Sequence, residues 1–340
     1  MFNDNLLTSI ITKLQLDPER VEKIETLIDS MQDLIENDFS SKDYSHLIST
    51  RDYMSGFKNR LLFEYSKPIQ EMEIFIEHCK GIGESTSKRL DSENSKKGDA
   101  LLRLYQKSTL IASEIVYLVK GGYASAATSR WRSLFEVSVI TMFLALNDEE
   151  TSVRYFDYEV VERKRELDTY LSNMDYLGFE KIPDKTIANI NKEYNDVLEK
   201  YGKAFARSFG WASFILKKEK LSLHDLMDNT NTHYLKPFYQ FSNNYVHGGP
   251  KSLFDNLGYI DGISSKNTIS GASNIGFTDA GQLTALSYYN VTLAYFSYNP
   301  IMEDLISLLH LYSKINRIGT RFFDVEQEII KREIRINELD

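Results

Sequence analysis

The sequence predicts an all-α protein: a multi-helix bundle with an N-terminal helical extension and one long loop. From Leu14 to Ile35, apolar residues recur mostly at steps of three and four, which places them on one face of a helix. The chain has 21 Tyr and 19 Phe but only 6 Pro and 17 Gly, a balance that favours long helices with aromatic packing over a turn-rich β protein. Its 340 residues suffice for two domains or for one large domain with an appendage.

A polar stretch interrupts the helical pattern early in the chain. Helices are expected before it, the second of them at 53–76, and the stretch itself is small, polar and charged. It does not form a phosphate-binding loop, because Lys88 is not preceded by glycine. We therefore predict an N-terminal helical region at 1–80, a linker or mobile loop at 81–99 and a main helical domain at 100–340.

The main domain begins with a series of predicted helices. Asn147 and Asp148 are suited to cap the third of them, and Pro183 suits the first turn of the fourth. Pro237 delays or kinks the sixth, which ends at a Gly-Gly-Pro turn. The helices are predicted at 101–119, 123–146, 149–172, 183–201, 223–227 and 232–246.

The long loop is predicted at about 251–278. Four glycines punctuate it among Ser and Asn residues, and a small hairpin is one arrangement that fits. Loops of this length within a compact domain are often functional. Thr278 and Asp279 are then expected to cap the last large helices, which run to about 315 with a break near Pro300, before a charged amphipathic helix closes the chain.

Composition argues against several functional classes. The net charge of −9 disfavours generic nucleic-acid binding, which usually needs a basic face. A single cysteine, Cys79, excludes an internal disulfide and a cysteine-cluster metal site, and the histidines show no metal-ligand spacing, so no metal or cofactor is expected. Residues 134–146 are too short for a membrane span, and the N-terminus lacks a signal-peptide pattern. We expect a soluble cytoplasmic protein without a membrane partner.

The first constellation of interest is the sequence RWRSLFE at 130–136. Arg132 and Glu136 lie four residues apart and therefore share one face of a helix that is apolar nearly all round beyond Phe135. A charge in such surroundings must be paired. Two interpretations stay open: a structural ion pair, or an anion-binding site to which Arg130 would contribute.

The second constellation is the tyrosine-rich helix that contains Tyr155. Arg154, Tyr158 and Glu162 follow one another at steps of four and lie on one face. Buried tyrosines need hydrogen-bond partners, so this helix is a candidate to extend a polar network to Arg132 and Glu136. A structural and a functional role are equally compatible with the pattern.

The third constellation, at 239–250, is the strongest. Gln240, Asn243, Asn244 and His247 fall at steps of three and four and form a polar face. His247 is expected on the last helical turn, where the helix dipole favours protonated imidazole, and histidine exchanges protons near neutral pH. The alternative is a simple C-terminal cap. His224 beside Asp225 fits a solvated loop better than a site.

Two resemblances follow from these residues. The spacing of Arg132 with Glu136, the tyrosines at 155–158 and the pattern from Tyr239 through Ser242 to His247 resemble domain-of-unknown-function family 5677, over about 100–311. More distantly, residues 242–247 are similar to the signature of the HEPN helical superfamily, which reads Arg, a polar residue, three variable residues and His. Asn243 and His247 match that signature, whereas Ser242 stands where it has arginine.

The HEPN resemblance implies a HEPN-like helical core, homodimerisation and metal-independent ribonuclease chemistry of toxin and phage-defence systems. In that hypothesis His247 transfers protons, Asn243 orients the substrate and Arg132 supplies the missing cation. The competing hypothesis is a polar pocket that binds a nucleotide, RNA or a partner protein of a defence system without catalysis. The third is a purely structural or interaction scaffold. The residues expected to bind are Arg130, Glu136, Tyr155, Tyr158, Ser242 and Asn244.

Overall fold

The computed structural model describes residues 13, 20, 23, 26–27, 31–90, 94–254, 257–258 and 271–337, apart from the side chains of 32–42, 177 and 337. Within these ranges every regular element is a helix, as the sequence predicts, and no strand occurs. Residue contacts group the chain into two units, 1–60 and 61–340.

The elements follow one another in a simple order. The α-helices are α1 (Gln32–Glu64), α2 (Ser66–Ser87), α3 (Lys96–Lys120), α4 (Ala124–Leu146), α5 (Glu149–Asp157), α6 (Glu159–Leu177), α7 (Asp184–Tyr201), α8 (Ser213–Leu216), α9 (Leu223–Asn229), α10 (Lys236–Phe241), α11 (Thr278–Phe296) and α12 (Met302–Asn337). Short 3₁₀ segments lie at Lys203–Ala206, Gly210–Ala212, His233–Leu235, Ser242–Tyr245 and Pro250–Leu253.

Helix α11 forms the centre of the unit 61–340. It packs against α2, α3, α4 and α12, and nearly all of its residues are buried. Such burial follows from its sequence, because a helix that is apolar all round must be enclosed by other elements. Trp131 ties α4 to it: the indole Nε1 donates to the Leu283 carbonyl and to Ser287 Oγ, both at 3.0 Å.

The predicted loop at 81–99 is wrong over its first residues, because α2 continues to Ser87. Gly83 in this stretch serves close packing instead of flexibility. A Cβ on Gly83 would lie 2.3 Å from the Tyr105 ring, whose hydroxyl donates to the Cys79 carbonyl at 2.7 Å. The division of the chain into domains at 80 and 100 stays a prediction.

The helices of the main domain agree with the sequence where local signals are strong. Helices α3 and α4 occur as predicted, and Asp148 caps α5 by accepting from the Thr151 backbone N–H at 3.0 Å. The predicted third helix is broken at Tyr158 into α5 and α6. Pro183 stands at the N-cap of α7, one position before the first turn.

Four further predictions need correction or fall outside the described ranges. The helix predicted at 232–246 is a short α10 flanked by 3₁₀ segments. Thr278 does not cap α11; Phe277 occupies that position, and Thr278 Oγ1 donates to Glu326 at 2.8 Å. Most of the expected apolar face at 14–35, and the hairpin expected within 251–278, lie outside the described residues.

None of the described helices is long and apolar enough to cross a bilayer.

Candidate functional site

One face of α4 meets the segment that contains α10 and the following 3₁₀ turn. Ser129, Arg132 and Glu136 share this face because they are spaced by three and four residues. Ser129 Oγ donates to the Tyr245 carbonyl at 3.0 Å, which fixes the 3₁₀ turn to α4. The sequence-predicted pair Arg132 and Glu136 therefore lies beside the strongest predicted motif.

Arg132, Glu136 and Tyr239 form a closed triangle. Arg132 Nε lies 3.1 Å from Glu136 Oε1, and Arg132 Nη2 donates to the Tyr239 hydroxyl at 2.7 Å. That hydroxyl in turn donates to Glu136 Oε1 at 2.7 Å. The guanidinium carbon also lies 4.3 Å from the Tyr239 ring centroid, a cation–π distance. Burial, and the hydrogen bond that the hydroxyl makes to Glu136, raise the pKa of Tyr239 to about 12, so it remains a neutral donor.

Aromatic packing and a hydrogen bond to its backbone carbonyl fix the position of Tyr239. Its ring packs on Phe135 with centroids 5.6 Å apart, and Phe135 stacks on the buried Trp131 at 5.5 Å. Ser242 Oγ donates to the Tyr239 carbonyl at 2.7 Å. A polar group placed on such a scaffold keeps its geometry without a ligand, which lowers the entropic cost of binding.

His224 joins the triangle from α9. Its ring meets the Tyr239 ring edge-on, with centroids 6.3 Å apart. The neighbouring Asp225 has a structural role, since its carboxylate accepts from the Ser222 backbone N–H and from Lys218. The bond from Lys218 lowers the pKa of Asp225 to about 2. We call Arg132, Glu136, His224 and Tyr239 the Tyr239 cluster.

Two atoms of the Tyr239 cluster have no hydrogen-bond partner within the described part of the chain. They are Arg132 Nη1 and His224 Nε2. Both atoms are buried, although each residue as a whole is only half-buried. Leaving a buried polar group unpaired costs about 1–3 kcal/mol. Both residues contact the ring of Tyr239, so the two unpaired atoms belong to one cluster.

His247 lies outside this cluster's hydrogen bonds. It follows the 3₁₀ segment Ser242–Tyr245 instead of ending an α-helical turn, so the predicted helix-dipole effect is lost. Its backbone N–H donates to the Asn243 carbonyl at 3.0 Å, and its side chain is exposed. Asn243 and Asn244 are half-buried on the same 3₁₀ segment.

Ser242 is fully buried, and its expected role in binding stays a prediction. The position where the HEPN signature has arginine thus lies in the core, where a cation would be neither accommodated nor accessible. Arg130 is also separate from the cluster, because it pairs with Glu114 on α3.

The polar network that we expected to join the tyrosine-rich helix at Arg154 to Arg132 and Glu136 on α4 does not form. Arg154 pairs with Glu150 at 3.0 Å, and the Tyr158 hydroxyl donates to the Arg207 carbonyl at 2.7 Å. Tyr155 packs edge-on against Trp211 at 5.0 Å. Tyr155 and Tyr158 line a different cavity, which does not include Arg132 or Glu136.

Sequence reasoning missed Tyr239 and His224. The pattern at 239–250 leaves Tyr239 outside the predicted polar face, although a buried tyrosine hydroxyl needs a partner such as Arg132 or Glu136. No signal in the sequence places His224 near it, since that proximity depends on the packing of α9 against α4.

Comparison with known proteins gives one match. No curated protein and no solved structure is similar to the chain. The segment 98–263, which contains the whole Tyr239 cluster, matches the model of a family of unknown function, DUF5677.

Proposed function

We propose that the protein is a helical binding protein whose Tyr239 cluster takes the phosphate of a nucleotide. The observation that carries the proposal is the unpaired, buried Nη1 of Arg132 in a guanidinium that two other bonds hold in place. A fixed donor of this kind favours a ligand with a strong acceptor, since no conformational change is needed to present it.

The chemistry of the cluster matches a phosphate oxygen. Arginine offers five N–H donors in a planar fork, of which Glu136 and Tyr239 engage Nε and Nη2. The remaining Nη1 would make a charge-assisted bond, the strongest class of hydrogen bond in proteins. Glu136 would repel an anion, but this repulsion is reduced because its carboxylate already accepts hydrogen bonds from both Arg132 and Tyr239.

His224 supplies the second contact. When its Nε2 carries a proton it can donate to another oxygen of the same phosphate, and a protonated imidazole would add positive charge. His224 on α9 and Arg132 on α4 both contact the ring of Tyr239 on α10, which supports a site built from three elements.

Cleavage of RNA is the second candidate function. It is favoured by the exposure of His247, whose side chain makes no hydrogen bond within the described residues. Binding without catalysis is preferred because Ser242 is buried where the signature needs arginine, and because Arg132 is committed to Glu136 and Tyr239. A role in a toxin or phage-defence system, and assembly as a homodimer, rest on the resemblance alone.

Calorimetric titration of the full chain with AMP, inorganic phosphate and adenosine tests the proposal. We expect AMP to bind at least about tenfold more tightly than adenosine, because one charge-assisted hydrogen bond contributes about 1.5–3 kcal/mol. Equal affinities, or no binding of AMP and phosphate, would contradict it.

Two histidine variants add a matched comparison. His224→Phe keeps a planar ring against Tyr239 but removes Nε2, so we expect weaker AMP binding with unchanged folding. His233→Phe, at an exposed histidine on a nearby 3₁₀ segment, should bind AMP like the wild type. If both variants bind alike, His224 does not contact the phosphate.

A further inference from the structure

A cavity elsewhere in the bundle shares no residue with the Tyr239 cluster. Its volume is about 400 Å³, and it is bounded by Ile140 of α4, by α5 and α6, and by the segment that follows α7. Aromatic side chains dominate its wall: Tyr155, Phe156, Tyr158, Phe209 and Trp211. Five rings around a space of this size form a cage in which a small ligand would meet the faces or edges of π systems.

The cage is held in shape by its backbone. Phe209 has a φ of 55°, in the left-handed region that bulky residues rarely adopt. The next residue must be glycine, because a Cβ on Gly210 would lie 2.2 Å from the Phe205 carbonyl oxygen. A strained conformation of this kind persists only where the surrounding packing enforces it, and such positions cluster at ligand sites.

The charges at the cavity leave one carboxylate uncommitted. Glu159 Oε1 lies 3.2 Å from Arg163 Nε, so its charge is paired. Arg165 is also engaged: its Nη2 donates to the Ala206 carbonyl at 2.6 Å, and its guanidinium lies 5.7 Å from the Tyr158 ring centroid. Glu162 has no ion-pair partner among the described residues.

We propose that this cavity binds a small organic cation, with its ammonium head against the aromatic rings and Glu162 as the counter-charge. A cation over an aromatic face gains about 0.5–2 kcal/mol, and recognition of ammonium groups is the common use of aromatic cages. The surrounding residues already show this pairing, since the guanidinium of Arg154 lies 4.4 Å from the Tyr201 ring and 4.6 Å from the Phe214 ring.

The Tyr155 hydroxyl supports the same ligand chemistry. Burial and the nearby Glu162 raise the pKa of Tyr155 to about 12, so the carboxylate is close enough to place negative charge beside this ring. An anion would instead meet the charge of Glu162 at the same wall.

Calorimetric titration of the full chain with choline, and with its uncharged analogue in which carbon replaces the quaternary nitrogen, tests this site. The two ligands have the same shape, so they separate charge from size. We expect choline to bind about tenfold more tightly, in line with a cation–π energy of about 0.5–2 kcal/mol. Equal binding of both ligands, or no binding of either, overturns the proposal.

Variants on α5 and α6 locate the binding. Glu162→Gln should weaken choline binding several-fold. Glu166→Gln removes the same charge one turn further along α6, where the side chain is also exposed but lies outside the cavity, and should have no effect. Tyr155→Phe keeps the ring and should retain binding, while Tyr155→Leu should lose it. Choline binding that survives both Glu162→Gln and Tyr155→Leu in folded protein also overturns the proposal.

Discussion

Two polar clusters in the same bundle, each built around tyrosine, differ in how completely their members are hydrogen-bonded. In the core tyrosine cluster, formed by Cys79, Tyr105, Thr109 and Tyr288, Tyr105 donates to the Cys79 carbonyl at 2.7 Å. Tyr288 in turn donates to the Tyr105 hydroxyl at 3.0 Å. Thr109 Oγ1 lies 2.7 Å from the Tyr288 hydroxyl, so all three hydroxyls are hydrogen-bonded.

The Tyr239 cluster is charged and incompletely bonded by contrast. Arg132 Nη1 and His224 Nε2 have no partner within the described part of the chain, although both atoms are buried. A fully satisfied buried network stabilises and specifies the fold, while an unsatisfied one is costly unless something else completes it. The comparison is therefore consistent with a structural role for the first cluster, and it supports the ligand binding that we propose for the second.

The largest effect is expected from Gly83→Ala, which would disrupt the core tyrosine cluster. The new Cβ would lie 2.3 Å from the Tyr105 ring, and moving that ring breaks its bond to the Cys79 carbonyl. Overpacking of this kind costs about 1–3 kcal/mol, and the lost hydrogen bond adds to it. Urea denaturation of the variant measures the change in the free energy of unfolding.

Gly81→Ala is its matched control on the same helix. Nothing lies within 4 Å of a Cβ at that position, so the substitution should be neutral or stabilise α2 by up to about 1 kcal/mol. Equal destabilisation by the two variants would show that Tyr105 does not pack on α2 as described.

Tyr105→Phe is expected to destabilise the protein by about 1–2 kcal/mol, because the Cys79 carbonyl and the Tyr288 hydroxyl each lose a partner. It should leave AMP affinity unchanged. Tyr239→Phe should mainly weaken AMP binding and affect stability less, since it releases Arg132 from its fixed position. Urea denaturation measures the stability of both variants, and calorimetry measures their AMP affinity. Loss of AMP affinity in Tyr105→Phe would remove the distinction between the clusters.

The pH dependence of the free energy of unfolding should also differ between wild type and Tyr239→Phe, by a smaller amount. The pKa of Tyr239 is raised from 10.0 to about 12 in the folded state, so the neutral hydroxyl is favoured by folding. Its contribution is fully present below pH 10 and is lost as the pH rises towards 12. The stability advantage of wild type over Tyr239→Phe should shrink across this range in urea denaturation; a constant difference would argue against the buried bond to Glu136.

The smallest effect on stability is expected for His247→Ala. An exposed side chain without a hydrogen bond should change the free energy of unfolding by less than about 0.5 kcal/mol. Incubation of cellular RNA with wild type and variant in excess chelator checks its function. The binding account predicts no cleavage by either; cleavage by the wild type alone would favour the ribonuclease hypothesis.

The sequence predicts those features that depend on near neighbours in the chain. The cap at Asp148, helices α3 and α4, and the pairing of Arg132 with Glu136 all follow from spacings of three or four residues.

Features set by tertiary contacts were not predicted. Gly83 reads as a loop residue until Tyr105 is packed against it, and the burial of Ser242 depends on how α10 meets α4. The approach of His224 to Tyr239 joins residues on separate helices, and no local pattern encodes that distance.

The most direct test of the central claim compares two neighbouring arginines of α4. Arg132→Gln removes the guanidinium of the Tyr239 cluster, whereas Arg130→Gln removes one that pairs with Glu114 outside it. In calorimetric titrations with AMP we predict that Arg132→Gln lowers the affinity at least about tenfold and that Arg130→Gln changes it less than about twofold. Equal affinities of the two folded variants would contradict the assignment of the phosphate to Arg132.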